Sequence, residues 1–229
     1  MNTTFKQWVI ILVVIVFSTL SCKHGTKFAY PQDENISNES GNPKQRNITF
    51  FPVEMASDSS TVGSIDTFHL KMYTKVLSNL GEPILYNFYI GKPVIRLTWF
   101  RPSGYPMTLS VEEIGNKIQL KENGYAPLSL MDLANHPKDT IKRIYRARVL
   151  NFQQKQKLLE LLKKNNFFDM PANIGEKGGK GTELAIEYHD PTNYHLVYRL
   201  VKDGVNPIEF REICDYIIDL SNFKEDKRY

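Results

Sequence analysis

Residues 182–201, which read TELAIEYHDPTNYHLVYRLV, decide the fold. Two runs rich in β-branched and aromatic residues flank the short polar segment DPTN. Runs of this length around a proline-containing turn predict a β-hairpin, with Pro191 and Thr192 as the two central turn residues. The hairpin therefore predicts an antiparallel sheet near the C-terminus of the chain.

The turn also fixes the register of the predicted hairpin. With Pro191 and Thr192 at its centre, His189 pairs with Tyr194 and Tyr188 pairs with His195. Side chains alternate between the two faces of a strand, so a single face collects five large side chains. These are Leu184, Ile186, Tyr188, His195 and Val197.

Further strands are predicted upstream of the hairpin. They are short β-type runs separated by glycine, proline and asparagine turns. Their ranges are 84–90, 94–100, 107–114, 117–122 and 140–150. The runs follow one another closely, which favours an antiparallel meander.

Three amphipathic helices accompany these strands. Residues 65–80 carry Phe68, Met72, Val76 and Leu80 at helical spacing, and Asn151 caps a leucine-rich helix that runs to about 164. A third helix begins with Asn206 and Pro207. Unevenly interspersed helices and sequential strands predict a single α+β domain, with about three helices on a mostly antiparallel sheet of about six to eight strands.

The chain begins with an apolar run, VIILVVIVFSTLSC, at residues 9–22. Its unbroken apolar part is about 13 residues, shorter than the roughly 20 needed to span a bilayer as a helix. Lys6 is the single charge before it, and polar residues follow Cys22 at once. This pattern predicts a cleavable export signal.

The end of this run, Thr19-Leu20-Ser21-Cys22, resembles the lipobox of bacterial lipoprotein signals, with Thr19 where an aliphatic residue is usual. The Asn-, Lys- and Ile-rich composition is similar to Bacteroidota-type lipoproteins. The resemblance implies that residues 1–21 are removed, that Cys22 carries lipid such as palmitate, and that the protein is held at the outer membrane or the periplasmic face of the envelope. A plain secretory signal and an uncleaved anchor are the alternatives.

Residues 22–47 follow the signal and are poor in aliphatic residues. A segment of this composition buries too little surface to offset its ordering entropy, so it predicts a flexible tether. The globular domain is then expected at residues 48–229.

The second of the two cysteines, Cys214, lies on the apolar stripe of the last predicted helix. There a free cysteine behaves as a small hydrophobic residue. A disulfide between Cys22 and Cys214 is the alternative if Cys22 is not lipidated.

The hairpin gathers the side chains that metal or acid–base chemistry would use. Because His189 and His195 fall on opposite faces in the predicted register, they cannot hold one ion, and no metal or cofactor is expected. No local catalytic motif occurs in the sequence, so no catalytic residue is assigned. A small envelope hydrolase with dispersed active-site residues is the alternative, and Glu187, His189 and Asp190 are its first candidates.

Two other motifs have simple interpretations. The segment GEKGGKGT, residues 175–182, departs from the phosphate-binding loop pattern in spacing and context, and it predicts a flexible loop. The basic stretch KRIYRAR, residues 142–148, predicts a solvated strand face, because the net charge is only +4 and acids are interspersed elsewhere. No nucleic-acid partner is expected.

Aromatic residues supply the remaining binding candidates. Trp99, Phe100, Arg101 and Tyr105 lie at a strand end and the loop after it, where they could stack on a glycan or anchor a protein partner. The same residues also fit a core strand followed by a rigid turn. The sequence thus favours a lipid-anchored, non-catalytic binding or accessory module, with the membrane and an envelope protein or glycan as partners; it does not set the oligomeric state.

Overall fold

The computed structural model describes residues 33–53, 67–87, 93–101, 105–127, 141–173, 181–201 and 208–223. The described helices are α1 (Thr67–Leu80), α2 (Phe152–Lys164) and α3 (Ile208–Asp219), and a 3₁₀ turn spans Phe167–Asp169. The described strands are β1 (Val94–Phe100), β2 (Pro106–Ile114), β3 (Lys117–Pro127), β4 (Ile141–Leu150), β5 (Thr182–Asp190) and β6 (Asn193–Val201).

The six strands form one antiparallel sheet in the order β4-β3-β2-β1-β5-β6. The meander β1 to β4 occupies one side, and the β5–β6 hairpin joins it by pairing β5 with β1, as in Leu97 opposite Ile186. The chain is a single α+β domain, and the predicted fold class is confirmed. β1 lies inside the sheet, which leaves β4 and β6 as the edge strands.

The predicted hairpin register is also confirmed. His189 pairs with Tyr194, and Tyr188 pairs with His195. The carboxylate of Asp190 stabilises the turn by accepting hydrogen bonds from the backbone N–H of Thr192 at 2.7 Å and of Asn193 at 2.8 Å. This local bonding explains why the turn could be located from the sequence.

One face of the sheet packs against α2 and α3. Leu97, Trp99, Leu109 and Ile186 meet the helices there in the larger core. α2 begins where the sequence predicts, because Asn151 and Gln154 form a capping box in which each side chain bonds the other's backbone N–H. The predicted apolar stripe of the last helix is buried in this core, including Cys214.

The opposite face packs against α1, whose buried row differs from the predicted stripe. Leu70, Tyr73 and Leu77 are buried, whereas Phe68 is largely exposed. The sequence of α1 has apolar residues on two overlapping stripes. The stripe that contains Tyr73 is the one that packs against the sheet. The Tyr73 ring packs against Phe100 at a centroid distance of 4.8 Å.

The strand predicted at residues 84–90 is not found in the described part of that range. Residues 84–87 form a buried turn. The side chain of Asn87 forms its hydrogen bonds with a segment that comes earlier in the chain, and no described strand pairs with these residues. The Asn87 amide accepts from the N–H of Asp33 at 2.8 Å and donates to the Ser37 hydroxyl at 2.7 Å. Residues 88–90 lie outside the described residues.

The packed chain begins before the predicted domain boundary at residue 48. Besides the contacts of Asn87, the N–H of Ile84 donates to the carbonyl of Gly41 at 2.9 Å. Residues 33–47 of the predicted tether therefore lie against the domain through polar contacts that composition does not reveal. Residues 22–32 lie outside the described residues.

Candidate functional site

A buried ionic network lies on the α1 face of the sheet, next to the C-terminal end of α1. Arg96 of β1 is 0 % exposed, and its Nε donates to Glu187 Oε2 of β5 at 2.7 Å. Its Nη1 donates to the carbonyl of Pro83 at 2.8 Å and contacts Glu82 Oε2 at 3.4 Å. The Tyr194 hydroxyl donates to the other oxygen of Glu187 at 3.0 Å.

Glu82 links this ion pair to the strands β2 and β3. Its Oε1 accepts hydrogen bonds from Thr108 at 2.7 Å and from the Asn123 amide at 2.6 Å. Asn123 also donates to the carbonyl of Leu80, the last residue of α1, at 2.8 Å. The network therefore holds the end of α1 on the sheet and satisfies the helix carbonyl left without an intrahelical donor.

The two buried charges of the network depend on each other. Burial raises the pKa of Glu187 from its ordinary value, and the Arg96 guanidinium opposes that rise. The carboxylates of Glu187 and Glu82 in turn raise the pKa of Arg96, although burial acts in the other direction. Because protein donors already fill their oxygens, these carboxylates serve as structural partners rather than as free acids or bases.

A polar cleft of about 140 Å³ opens above this network. The buried Arg96 lies at its floor, and the walls come from the end of α1 and from β1 to β4. Lys121 and Ser110 line the cleft from the middle of the sheet, and Arg143 and Tyr145 of β4 line its side toward the sheet edge. We call this space the polar cleft.

The side chains that line the polar cleft carry donors that the protein does not use up. Lys121 forms an ion pair with Glu112. Arg143 Nη2 donates to the carbonyl of Leu80 at 2.7 Å, which ties β4 to the end of α1. An ammonium has three donors and a guanidinium five, so both cations keep donors after these contacts.

The second surface feature is β4, the edge strand beside the cleft. Within the described ranges, backbone hydrogen bonds reach β4 from β3 alone. On the α1 face, Tyr145 and Val149 are each 63 % exposed, and Ile141 is also exposed. On the other face, Lys142 and Arg146 are exposed and Arg148 is partly exposed. β4 therefore carries exposed apolar side chains together with Arg143 on the α1 face, and a row of cations on the other face.

The other edge of the sheet is covered near Tyr198 and Arg199. The N–H of Tyr198 in β6 donates to the carbonyl of Ala172 at 2.7 Å, and Arg199 donates to the carbonyls of Ala172 and Pro171 at 3.1 and 2.9 Å. The segment after the 3₁₀ turn thus occupies this edge. Exposed edges invite pairing with another chain. Among the described residues, β4 is the edge strand whose outer backbone has no hydrogen bond from a neighbouring segment.

The aromatic candidates from the sequence do not form an open binding platform. Trp99 is 0 % exposed in the core of the α2–α3 face, and Phe100 packs on Tyr73. Arg101 is buried and donates to the carbonyl of Tyr105 at 2.9 Å. Trp99 is buried because both faces of β1 are covered and a large ring there packs inward, and Arg101 is buried just after the end of β1.

Two of the three hydrolase candidates are held by structural contacts. Glu187 is engaged by Arg96, and Asp190 is engaged by its own turn. His189 is buried on the α1 face, and burial lowers its pKa to about 4. His195 lies on the other face as predicted, and among the described residues no group of three or more His, Cys, Asp or Glu could hold a metal ion.

Several sequence candidates fall outside the described residues: the apolar run, Cys22 and most of the glycine-rich segment, residues 174–180. No described helix is long and apolar enough to cross a membrane. Cys214 is a buried free cysteine, and burial raises the pKa of its thiol.

Sequence reasoning missed the polar cleft, although one signal for it is visible. Arg96 is the single charged residue in the mostly apolar strand VIRLTWF, and a cation in such a strand predicts a buried partner. The identity of that partner, 91 positions along the chain, depends on how β5 pairs with β1.

Comparison of the chain with protein-family models, with curated proteins and with solved structures gave no match.

Proposed function

We propose that this protein is a lipid-anchored component of a bacterial cell envelope, and that its folded domain is a non-catalytic binding module for a protein partner. The lipobox-like sequence ending at Cys22 supports the anchor. The edge strand β4 supports the binding role. β4 is the single observation on which the binding role depends.

The mode of binding that fits β4 is strand addition. An extended segment of the partner pairs with the outer backbone of β4 and continues the sheet by one strand. β4 is ten residues long, so it offers a long ladder of backbone hydrogen bonds. The exposed Tyr145 and Val149 side chains supply apolar contacts on the α1 face of that ladder.

Charge selects the kind of segment that binds. β4 reads IKRIYRARVL, which contains four cations and no acid. Pairing β4 with a second copy of itself would bring like charges together, which disfavours a homodimer through this edge. The occupant we propose is an acidic segment of a different protein.

The two rows of β4 define the pattern of that segment. Positions that lie across from Lys142, Arg146 and Arg148 are aspartate or glutamate. Positions on the other face, across from Tyr145 and Val149, are apolar or aromatic. The ligand is therefore an extended segment in which acidic and apolar residues alternate, and each opposite-charge pair contributes about 0.2 to 1 kcal/mol.

A peptide-binding experiment tests this proposal. The probe is a labelled ten-residue peptide that alternates glutamate with valine or tyrosine, compared with a scrambled peptide of the same composition. We expect fluorescence anisotropy to show saturable binding of the alternating peptide to the protein, weakened at higher salt. Arg146→Glu replaces an attractive charge pair with a repulsive one and should weaken binding about fivefold. The matched control is Lys163→Glu, which reverses an exposed cation on α2 and should leave binding unchanged.

Two results would overturn the proposal. Equal affinity for the alternating and scrambled peptides would show charge attraction without strand pairing. Absence of peptide binding, together with binding of a soluble envelope oligosaccharide that Tyr145→Ala abolishes, would identify the surface as a glycan site.

A further inference from the structure

The polar cleft has the features of a ligand site separate from the backbone edge of β4. It is a concave space of about 140 Å³ with a fully buried cation, Arg96, at its floor. At about 30 Å³ per water molecule, this volume holds a ligand the size of a few waters. The space therefore suits a small group rather than a whole cofactor.

The open donors of the cleft favour an anion. Lys121 and Arg143 both keep N–H groups beyond their contacts with Glu112 and Leu80, and Ser110 adds a hydroxyl at the cleft wall. Two carboxylates also line the cleft, and both are occupied, because Glu82 accepts from Thr108 and Asn123 and Glu112 pairs with Lys121. An incoming oxygen ligand thus finds donors in excess.

The floor of the cleft limits the charge of that anion. Glu82 and Glu187 lie next to Arg96, and their two negative charges outnumber its single positive charge. A ligand with two negative charges, such as a phosphate group, is disfavoured by this floor. The apolar walls formed by Leu85 and Val94 suit a short aliphatic stem.

We propose that the polar cleft binds the carboxylate of a short aliphatic acid, held between Lys121 and Arg143. The carboxylate comes either from a free small acid or from a polypeptide, as an acidic side chain or a C-terminus. The stem contacts Leu85 and Val94. This site goes beyond the proposed strand addition and does not require it.

The first experiment uses butyrate as the probe and butyramide as its neutral counterpart. NMR titration of the whole protein at constant ionic strength follows the backbone amides of Lys121, Asn123 and Arg143. We expect saturable shifts with butyrate and no matching shifts with butyramide. Lys121→Gln and Arg143→Gln should each weaken binding about tenfold, whereas Lys163→Gln on α2 should not change it.

The second experiment identifies the source of the carboxylate. A short acetylated peptide with a free C-terminus is compared with its amidated form, and a glutamate-containing amidated peptide with its glutamine counterpart. Preference for either charged peptide over butyrate assigns the site to a polypeptide, and equal or better binding of butyrate assigns it to a free acid.

The proposal is overturned if none of the carboxylates gives saturable shifts, if butyramide acts like butyrate, or if Lys121→Gln binds like the unaltered protein. Lys121 is partly exposed, so its replacement should leave the fold intact, and the unchanged amide spectrum away from the cleft verifies this. Butyrate cannot add a strand to β4. Failure here is therefore distinguishable from failure of the proposed peptide binding.

Discussion

Arg96 and Glu187 form a fully buried ion pair across β1 and β5, with the Arg96 Nη2 atom 2.6 Å from Glu187 Oε2. The two residues are direct partners in the strand register. The pair lies at the junction between the meander and the hairpin. It therefore ties the two parts of the sheet together beneath the polar cleft.

Removing one partner of this pair should destabilise the protein strongly. Glu187→Gln leaves the Arg96 guanidinium buried without its counter-charge, and we expect the free energy of unfolding to fall by about 3 kcal/mol. Urea denaturation monitored by circular dichroism measures this. Glu212→Gln removes the exposed ion pair with Lys164 and should leave the unfolding midpoint nearly unchanged. Equal effects of the two substitutions would contradict the structural role of the pair.

His189 should make stability depend on pH. Its side chain is 3 % exposed, and burial lowers its pKa from 6.5 to about 4, while Asp190 opposes the shift. Well above pH 6.5 the imidazole is neutral in both folded and unfolded chains. As the pH falls from 6.5 toward 4, the unfolded chain binds a proton that the folded chain does not, so the free energy of unfolding falls by about 2 kcal/mol.

A comparison of variants isolates this contribution from other titrating groups. The free energy of unfolding of the unaltered protein and of His189→Gln is measured at several pH values between 7 and 4. The unaltered protein should lose more stability than the variant over this range. Parallel pH profiles would show that His189 is protonated in the folded protein as readily as in the unfolded one.

Substitution of Trp99 should change the stability of the protein much more than substitution of Tyr145. Trp99→Ala removes a fully buried ring from the core and should cost about 3 to 5 kcal/mol. Tyr145→Ala removes a largely exposed ring and should change stability by less than about 0.5 kcal/mol. Thermal unfolding measures both, and a stable Trp99→Ala protein would be inconsistent with the described core.

Asn87 should hold residues 33–47 on the domain. Asn87→Ala removes the side-chain hydrogen bonds to Asp33 and Ser37. We expect faster proteolytic cleavage and faster amide exchange in this segment, with the sheet unchanged. An unaltered cleavage rate would mean that other contacts, such as that of Ile84 with Gly41, are sufficient.

The proposed lipid anchor has a direct test. Cys22→Ala should abolish incorporation of a labelled fatty acid and release the protein from the membrane fraction, because the acyl chains are then absent. Cys214→Ala is the control and should remain labelled. Continued membrane association of Cys22→Ala would identify the apolar run as an uncleaved anchor.

Local sequence signals were sufficient to predict the hairpin and the start of α2. Asp190 bonds its own turn and Asn151 caps its own helix, so both features depend on residues a few positions apart. The buried stripe of α1 was not predictable in the same way. Two apolar rows were available, and the aromatic groups of the sheet face decided between them.

Which candidate residues are buried and which are exposed depends on the pairing of strands that are far apart in the sequence. The sequence offered Trp99 and Arg101 as binding candidates because aromatic and basic side chains cluster there, and it also fitted a core strand followed by a rigid turn. Burial of Trp99 follows from coverage of both faces of β1, which residue order does not reveal. The exposure of Tyr145 likewise follows from the position of β4 at the sheet edge.

By itself, the sequence determined the α+β class, the hairpin register and the opposite orientation of His189 and His195, because turn chemistry and strand alternation act over a few residues. Only the tertiary structure decided that Arg96 meets Glu187, that the end of α1 and strands β1 to β4 enclose a polar cleft, and that β4 is an edge strand bonded among the described residues by β3 alone. Those features depend on which strands become neighbours, and that choice is set by packing of the whole domain.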